Sequence, residues 1–161
     1  MASTDARAGY APIGALNMYY EIHGSGRPLV VLHGAYMTID MIGPILPGLA
    51  ETRQVIAPEQ QGHGRTGDVD RPLIYEQMAD DTAALIRHLN IDEADVLGYS
   101  MGGGIALQLA IRHPAVEVLN SATFARTVER SNALLVRGMT ATASGCMGYG
   151  PFRGRCPTRS S

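Results

Sequence analysis

The sequence predicts an α/β fold in which a mostly parallel sheet carries helices on both faces. Short apolar runs closed by turn residues alternate along the chain with stretches of helical periodicity. Such alternation is typical of parallel strands joined by right-handed helical crossovers. The chain has 161 residues, 45% of them hydrophobic, which fits one domain with a sizeable core.

Five short segments have the composition of strands. Residues 17–22 are rich in strand formers and are closed by a turn cluster. Residues 29–32 form a continuous apolar run, which suits a strand buried on both faces of a parallel sheet. Residues 54–57 and 94–97 repeat this pattern, and residues 116–119 are a further candidate.

Two segments have helical patterns, and a third is weakly helical. In residues 75–89 apolar side chains recur on one face of a 3.6-residue period, with acids in the early turns and Arg87 and His88 in the last. Residues 101–112 form the second predicted helix. Residues 41–51 are weakly helical and are interrupted by two prolines.

Composition excludes several classes of protein. At 17% charged residues the chain is too apolar for a disordered protein, and no run approaches the roughly 18 apolar residues of a membrane span. The N-terminal segment has no apolar stretch after a basic start, so no signal peptide is expected. Cys146 and Cys156 have no second cysteine or histidine at metal-ligand spacing. We therefore expect a soluble, cytoplasmic protein without a metal site.

Charge is distributed unevenly along the chain. Residues 126–161 carry six arginines and one glutamate, a net charge of +5. Because the whole chain has a net charge of −2, residues 1–125 have a net charge of −7. The arginines are scattered among Gly, Ser, Thr and Pro, without the clustered patch typical of nucleic-acid binding. We expect an ordered portion over residues 1–125 and an irregular, solvated tail over residues 126–161, with no nucleic-acid or membrane partner.

The strongest chemical signal is the run Gly98-Tyr99-Ser100-Met101-Gly102, a G-x-S-x-G between a predicted strand and a predicted helix. A sharp strand-to-helix turn forces its central serine into a strained backbone conformation, and flanking glycines remove side chains that would collide there. The hydroxyl then projects above the sheet at a helix N-terminus, where N–H groups favour developing negative charge. Ser100 is therefore the candidate nucleophile.

Two histidine-containing turns follow neighbouring strands. His33-Gly34 ends the strand at 29–32, and a backbone N–H just after it, that of Ala35, could join the N–H of Met101 in an oxyanion hole. Gly62-His63-Gly64 follows the strand at 54–57. For both histidines we expect a structural role in holding loops through hydrogen bonds.

Taken together, VVLHG, QGHGRT and GYSMGG resemble the N-terminal half of the α/β-hydrolase fold family, particularly its small serine esterases and lactonases. The resemblance covers roughly residues 15–120. It implies an eight-stranded, mostly parallel sheet in the complete fold, Ser100 as nucleophile, and an oxyanion hole from the amides of Ala35 and Met101. It also implies a small ester-type substrate and no cofactor. Dehalogenase and epoxide-hydrolase relatives use an acidic nucleophile, so a serine indicates cleavage of an ester, a lactone or a similar acyl group.

The resemblance ends before the rest of the catalytic triad. In this family the acid and then the histidine follow the serine in the chain. After Ser100 the sequence has one histidine, His113, two glutamates (Glu117 and Glu129), and no aspartate. His113 closes the predicted helix about 18–20 Å along its axis, so it is not expected to act as the base.

Two explanations of this departure remain open. The chain has 13 arginines and no lysine, as in GC-rich coding DNA, so a reading-frame slip near residues 114–122 would replace the later hydrolase sequence with an Arg/Gly-rich one. The other explanation is a divergent short form. Two functions follow: a serine hydrolase that receives its histidine from elsewhere, for example another chain, or an inactive remnant or non-catalytic binding scaffold. The sequence leaves the substrate's identity and the oligomeric state open.

Overall fold

The computed structural model describes residues 6–114, and the backbone of residues 117–127 and 130–137. Seven strands lie in these ranges: β1 (Arg7–Ile13), β2 (Leu16–His23), β3 (Arg27–Leu32), β4 (Arg53–Pro58), β5 (Glu93–Tyr99), β6 (Glu117–Thr127) and β7 (Arg130–Arg137). The helices there are α1 (Ile39–Ile42), α2 (Leu46–Ala50), α3 (Tyr75–His88) and α4 (Met101–Arg112), with a 3-10 turn (Gly43–Ile45) between the first two.

The strands form one sheet in the order β1-β2-β4-β3-β5-β6-β7. Its four central strands, β4, β3, β5 and β6, are parallel, whereas β1, β2 and β7 pair with their neighbours in antiparallel fashion. Val30 of β3 lies opposite Ile56 on one side and Val96 on the other, which sets the register of the centre. The expected α/β class is confirmed.

Helices cover both faces of the sheet because the side chains of each strand alternate. In β3, Val30 and Leu32 face a core cluster that includes residues of α3 and α4. Leu29 and Val31 face the opposite cluster, formed with α1 and α2. A strand buried on both faces needs an uninterrupted apolar run, which is the pattern that residues 29–32 show in the sequence.

Two parts of the sheet differ from the sequence-based expectation. β1 was not among the expected strands, because Gly9, Pro12 and two alanines give it weak strand propensity. Its position comes from an antiparallel hairpin with β2 around Gly14, whose φ is +59°. At the other end, β6 runs past residue 125 and β7 lies inside the expected irregular tail, paired with β6.

Residues 138–161, which include Cys146 and Cys156, lie outside the described residues. The division into residues 1–125 and 126–161 stays a prediction. None of the four helices in the part of the chain that the structure describes has both the length and the apolar character needed to cross a bilayer. Within the same part, no three His, Cys, Asp or Glu side chains are grouped so that they could hold a metal ion.

Candidate active site

Ser100 occupies a strained turn between β5 and α4. Its backbone has φ +52° and ψ −112°, a conformation that is unusual for any residue with a side chain. Its carbonyl accepts a hydrogen bond of 2.9 Å from the N–H of Gly103, which starts the helix immediately after it. Ser100 itself is exposed. The turn therefore presents a hydroxyl to solvent at a helix N-terminus, as the G-x-S-x-G spacing predicts.

The glycines on both sides of Ser100 are required by close backbone contacts. A Cβ atom on Gly98 would lie 2.2 Å from the carbonyl oxygen of Gly102. A Cβ on Gly102 would lie 2.2 Å from the carbonyl oxygen of Leu32, at the end of β3. Both neighbours are backbone atoms, which cannot move aside as a flexible side chain can. The turn thus packs directly against the end of the adjacent strand.

The loop after β3 is held by a buried histidine. The His33 Nδ1–H donates to the Gly34 carbonyl at 2.8 Å, and the Gln60 N–H donates to Nε2 at 3.0 Å. Burial lowers the pKa of His33 below its ordinary value, while the bond to Gly34 opposes that shift. The neutral imidazole therefore joins the ends of β3 and β4, which is the structural role expected for it.

A buried carboxylate fixes the far end of the same loop. Glu59 is fully buried and accepts hydrogen bonds from the N–H of Ile39 at 3.1 Å, the N–H of Arg65 at 2.5 Å and the Arg65 Nη1 at 2.9 Å. The Nη2 of Arg65 also donates to both carboxylate oxygens of the exposed Asp40. Gly64, with φ +54°, leaves room for this carboxylate, because a Cβ there would lie 2.3 Å from it. Nothing in the sequence analysis identified Glu59.

Two further histidines, His63 near His33 and His113 at the end of α4, have different environments. His63 donates from Nδ1 to the carbonyl of Gln61 at 2.9 Å, and its ring centre lies 5.0 Å from that of His33. His113 ends α4 and is bonded through Nε2 to Asp80 at 2.6 Å. The guanidinium of Arg112, which also bonds Asp80, is the largest cause that lowers the pKa of that carboxyl. His113 is thus engaged at the end of α4 opposite to Ser100.

An open cleft of about 530 Å³ brings the predicted site residues together. Ser100, Ala35 and Met101 all line this cleft. Gly98 and Gly102 do not line it but allow the close backbone packing of the Ser100 turn. The rest of the lining was not predicted to belong to the site, because loop and helix-start residues acquire this role only through the fold; His63 was expected to have only a structural role. These further residues are Tyr36, His63, Leu73, Ile74, Tyr75, Glu76 and Met78.

A second cavity, of about 520 Å³, lies elsewhere in the molecule, between the β1–β2 hairpin and the segment after α3. Its lining includes Arg7, Tyr20 and Asn90. It contains none of the residues that the sequence singled out for chemistry. The cleft at Ser100 is therefore the candidate site.

Comparison with known proteins gives a consistent picture. Residues 27–137 match a family model described as alpha/beta hydrolase fold. The chain is 33% identical over 128 residues to a protein of Azorhizobium caulinodans named "Putative carbamate hydrolase RutD" (80% of this chain, 48% of that protein). It is 36% identical over 111 residues to a soluble epoxide hydrolase of a Corynebacterium species (67% of this chain, 38% of that protein).

Among solved structures, the epoxide hydrolase CorEH without ligand superposes with a TM-score of 0.68 at 29% identity. The match covers 80% of this chain and 47% of that one. The chain thus spans half or less of the length of each of these three proteins. The family model reaches residue 137, beyond the region around 15–120 in which the sequence motifs lie.

Proposed function

The chain belongs to the alpha/beta hydrolase fold family, and from that premise we propose that it carries the nucleophilic centre of a serine hydrolase. In this proposal Ser100 attacks the carbonyl carbon of a carboxylic ester, a lactone or a similar acyl group. The backbone N–H groups of Ala35 and Met101 stabilise the oxyanion that results.

The reaction proceeds in two steps. The Ser100 Oγ loses its proton to a base and forms a bond to the carbonyl carbon, whose oxygen takes the negative charge. Collapse of this intermediate breaks the bond to the alcohol oxygen, which leaves with a proton, and an acyl-enzyme remains. Water then hydrolyses the acyl-enzyme, which releases the acid and restores the serine.

The observation that carries this proposal is the backbone of Ser100, held at φ +52° within an open cleft. A strained conformation of a non-glycine residue persists only where its surroundings impose it, and such residues cluster at functional sites. Gly98 and Gly102 permit the close backbone packing around this turn, because a Cβ at either position would collide with backbone atoms. Some relatives of this chain are named epoxide hydrolases; a hydroxyl rather than a carboxylate at position 100 favours acyl chemistry.

A second candidate function is a non-catalytic binding scaffold or an inactive remnant. It is supported by the position of His113, the one histidine that follows Ser100 in the sequence, which is bonded to Asp80 at the other end of α4. An unassisted serine is a weak nucleophile, because its proton has no acceptor at neutral pH. An active protein would therefore require an imidazole other than that of His113, either His63, which lines the same cleft, or one from another chain.

Release of p-nitrophenol from p-nitrophenyl butyrate tests the proposal. We expect the purified protein to hydrolyse this ester and Ser100→Ala to lose the enzymatic part of the rate. Ser25→Ala, which removes an exposed serine from the turn between β2 and β3, serves as the matched control and should keep the rate. Equal rates for the protein and Ser100→Ala would rule out catalysis by Ser100 and favour the scaffold.

A further inference from the structure

Tyr36 combines a strained backbone conformation with an exposed aromatic ring. Its backbone has φ +59°, in the left-handed region that favours glycine and asparagine. The residue is 95% exposed, so its ring packs little against the part of the chain that the structure describes. The strain of this conformation is therefore not offset by packing of the ring.

The turn that contains Tyr36 is well fixed in spite of this. The Met37 N–H donates to the Gly34 carbonyl at 3.2 Å, which closes a tight turn. The buried His33 anchors the turn on one side, and Glu59, through the Ile39 N–H, anchors it on the other. Turn positions with positive φ are usually glycine or asparagine. A tyrosine at such a position suggests that the ring has a use outside the folded core.

Tyr36 lies at the cleft that contains Ser100. Tyr36 follows Ala35 directly, and both line this cleft. Leu73, Ile74 and Tyr75 line it as well and are each about half exposed, at 52%, 49% and 49%. Exposed apolar side chains that gather around one cleft indicate a binding surface.

One side of this surface packs against α4. A Cβ on Gly104 would lie 2.9 Å from the Cε1 of Tyr75, so the Tyr75 ring rests directly against the backbone of α4. Gly104 stands one turn of helix after Ser100. The Tyr75 ring therefore lies close to the nucleophile turn, and Tyr36 belongs to the loop next to that turn.

From this arrangement we propose that Tyr36 is a specificity-determining residue that contacts the substrate. Its ring, together with Leu73, Ile74 and Tyr75, holds an uncharged aromatic or alkyl group of the acyl substrate that Ser100 attacks. This inference rests on the proposed function, since it names the class of substrate for the same cleft. A contact between two aromatic groups contributes enough to change binding by roughly 2- to 10-fold.

Equilibrium binding to Ser100→Ala tests this without any need for turnover. The probe is methyl 4-phenylbutyrate, a neutral ester with an aromatic end, and its Kd is measured by isothermal titration calorimetry. In the Ser100→Ala background we expect Tyr36→Asn to raise Kd by roughly 2- to 10-fold, because it removes the ring. Tyr36→Phe should stay within about 2-fold, because it keeps the ring. Ile111→Asn removes an apolar side chain that is 68% exposed on α4, away from the cleft, and should leave Kd unchanged.

Thermal melts of the same variants separate binding from stability. Asparagine tolerates positive φ, so Tyr36→Asn should melt at or above the temperature of its parent. An unchanged Kd for Tyr36→Asn, a lower melting temperature for it, or no measurable binding to the parent would each overturn the proposal. If the protein with Ser100 intact does not hydrolyse esters but the Kd values change as expected, only the proposed function is contradicted.

Discussion

Two neighbouring loops contribute Ser100 and Ala35 to the cleft, and different forces hold them. The turn at Ser100 is fixed by steric contact, since Gly98 and Gly102 let backbone segments approach where no Cβ would fit. The loop after β3, from residue 33 to residue 39, is fixed by buried polar groups, with His33 at its start and Glu59 bonded to its end. Both loops end strands at the same edge of the sheet and line one cleft with Ser100 and Ala35.

The difference determines how each loop responds to change. The close packing of the Ser100 turn requires that Gly98 and Gly102 have no side chain, so adding one methyl group at either position should disrupt the turn. Polar anchoring depends on paired donors and acceptors, so removing one group leaves its partners unsatisfied in a buried place. The first loop should therefore be sensitive to substitution alone, whereas the second should respond to both substitution and pH.

The largest effect is expected from Gly102→Ala. Alanine normally stabilises a helix relative to glycine by about 1 kcal/mol, but here its Cβ would lie 2.2 Å from the Leu32 carbonyl. We expect the free energy of unfolding to fall by about 4 kcal/mol or more, as for severe steric lesions. Urea denaturation measures it.

Gly48→Ala is the matched control for this experiment. Gly48 lies in α2 with no other atom within 4 Å of a built Cβ, so alanine there should be neutral or stabilising. If both alanine variants are as stable as the parent, the steric account of the Ser100 turn is wrong.

The second-largest effect concerns the polar loop. Glu59→Ala leaves the N–H of Ile39 and the donors of Arg65 without their buried acceptor. We expect a loss of about 2–4 kcal/mol in the free energy of unfolding. Asp40→Ala removes a carboxylate whose side chain is 71% exposed from the same arginine and should cost less than about 1 kcal/mol. Equal losses in urea denaturation would mean that Glu59 does not anchor the loop.

A smaller effect of opposite sign is expected at the nucleophile. Ser100→Gly relieves the strain of φ +52°, and after the greater flexibility of glycine in the unfolded chain is subtracted, stability should rise by about 1 kcal/mol. Ser100→Ala keeps a Cβ and with it the strain, so it should not gain this increment. Thermal melts compare the two. A glycine variant no more stable than the alanine variant would show that the turn carries no strain.

The smallest effect is the pH dependence of the polar loop. Burial lowers the pKa of His33 in the folded state, so the unfolded chain binds the proton first as pH falls below about 6.5. Stability that is present above this pH should therefore decline on acidification, by less than about 1 kcal/mol between pH 7 and pH 6. Urea denaturation at several pH values follows this decline, and His33→Asn should flatten it. The same slope in that variant would assign the titration to another group.

The two loops also differ in how far the sequence predicts them. The G-x-S-x-G motif between an apolar run and a helical pattern locates Ser100, because the turn needs glycine at two positions close to the serine in the sequence. The central strands β3, β4 and β5 are predictable for a similar reason, since burial on both faces demands continuous apolar runs. These features depend on local chemistry.

The polar anchors and the cleft lining depend on contacts between distant segments. Glu59 and Ile39 are 20 residues apart, and Leu73 to Glu76 reach the cleft only through the placement of α3 beside α4. β1 is likewise weak in propensity and owes its strand to its partner β2. A short window around Glu59 does not contain Ile39, so local sequence patterns could not predict that contact.

Covalent labelling with a fluorophosphonate tests most directly whether Ser100 is a nucleophile. After incubation, intact mass and peptide mapping locate the modified residue, with Ser100→Ala and Ser25→Ala treated in parallel. We expect a single adduct on Ser100 in the protein and in Ser25→Ala, and none in Ser100→Ala. No adduct on the folded protein, or equal labelling of Ser100→Ala, would contradict the assignment of Ser100 as the nucleophile.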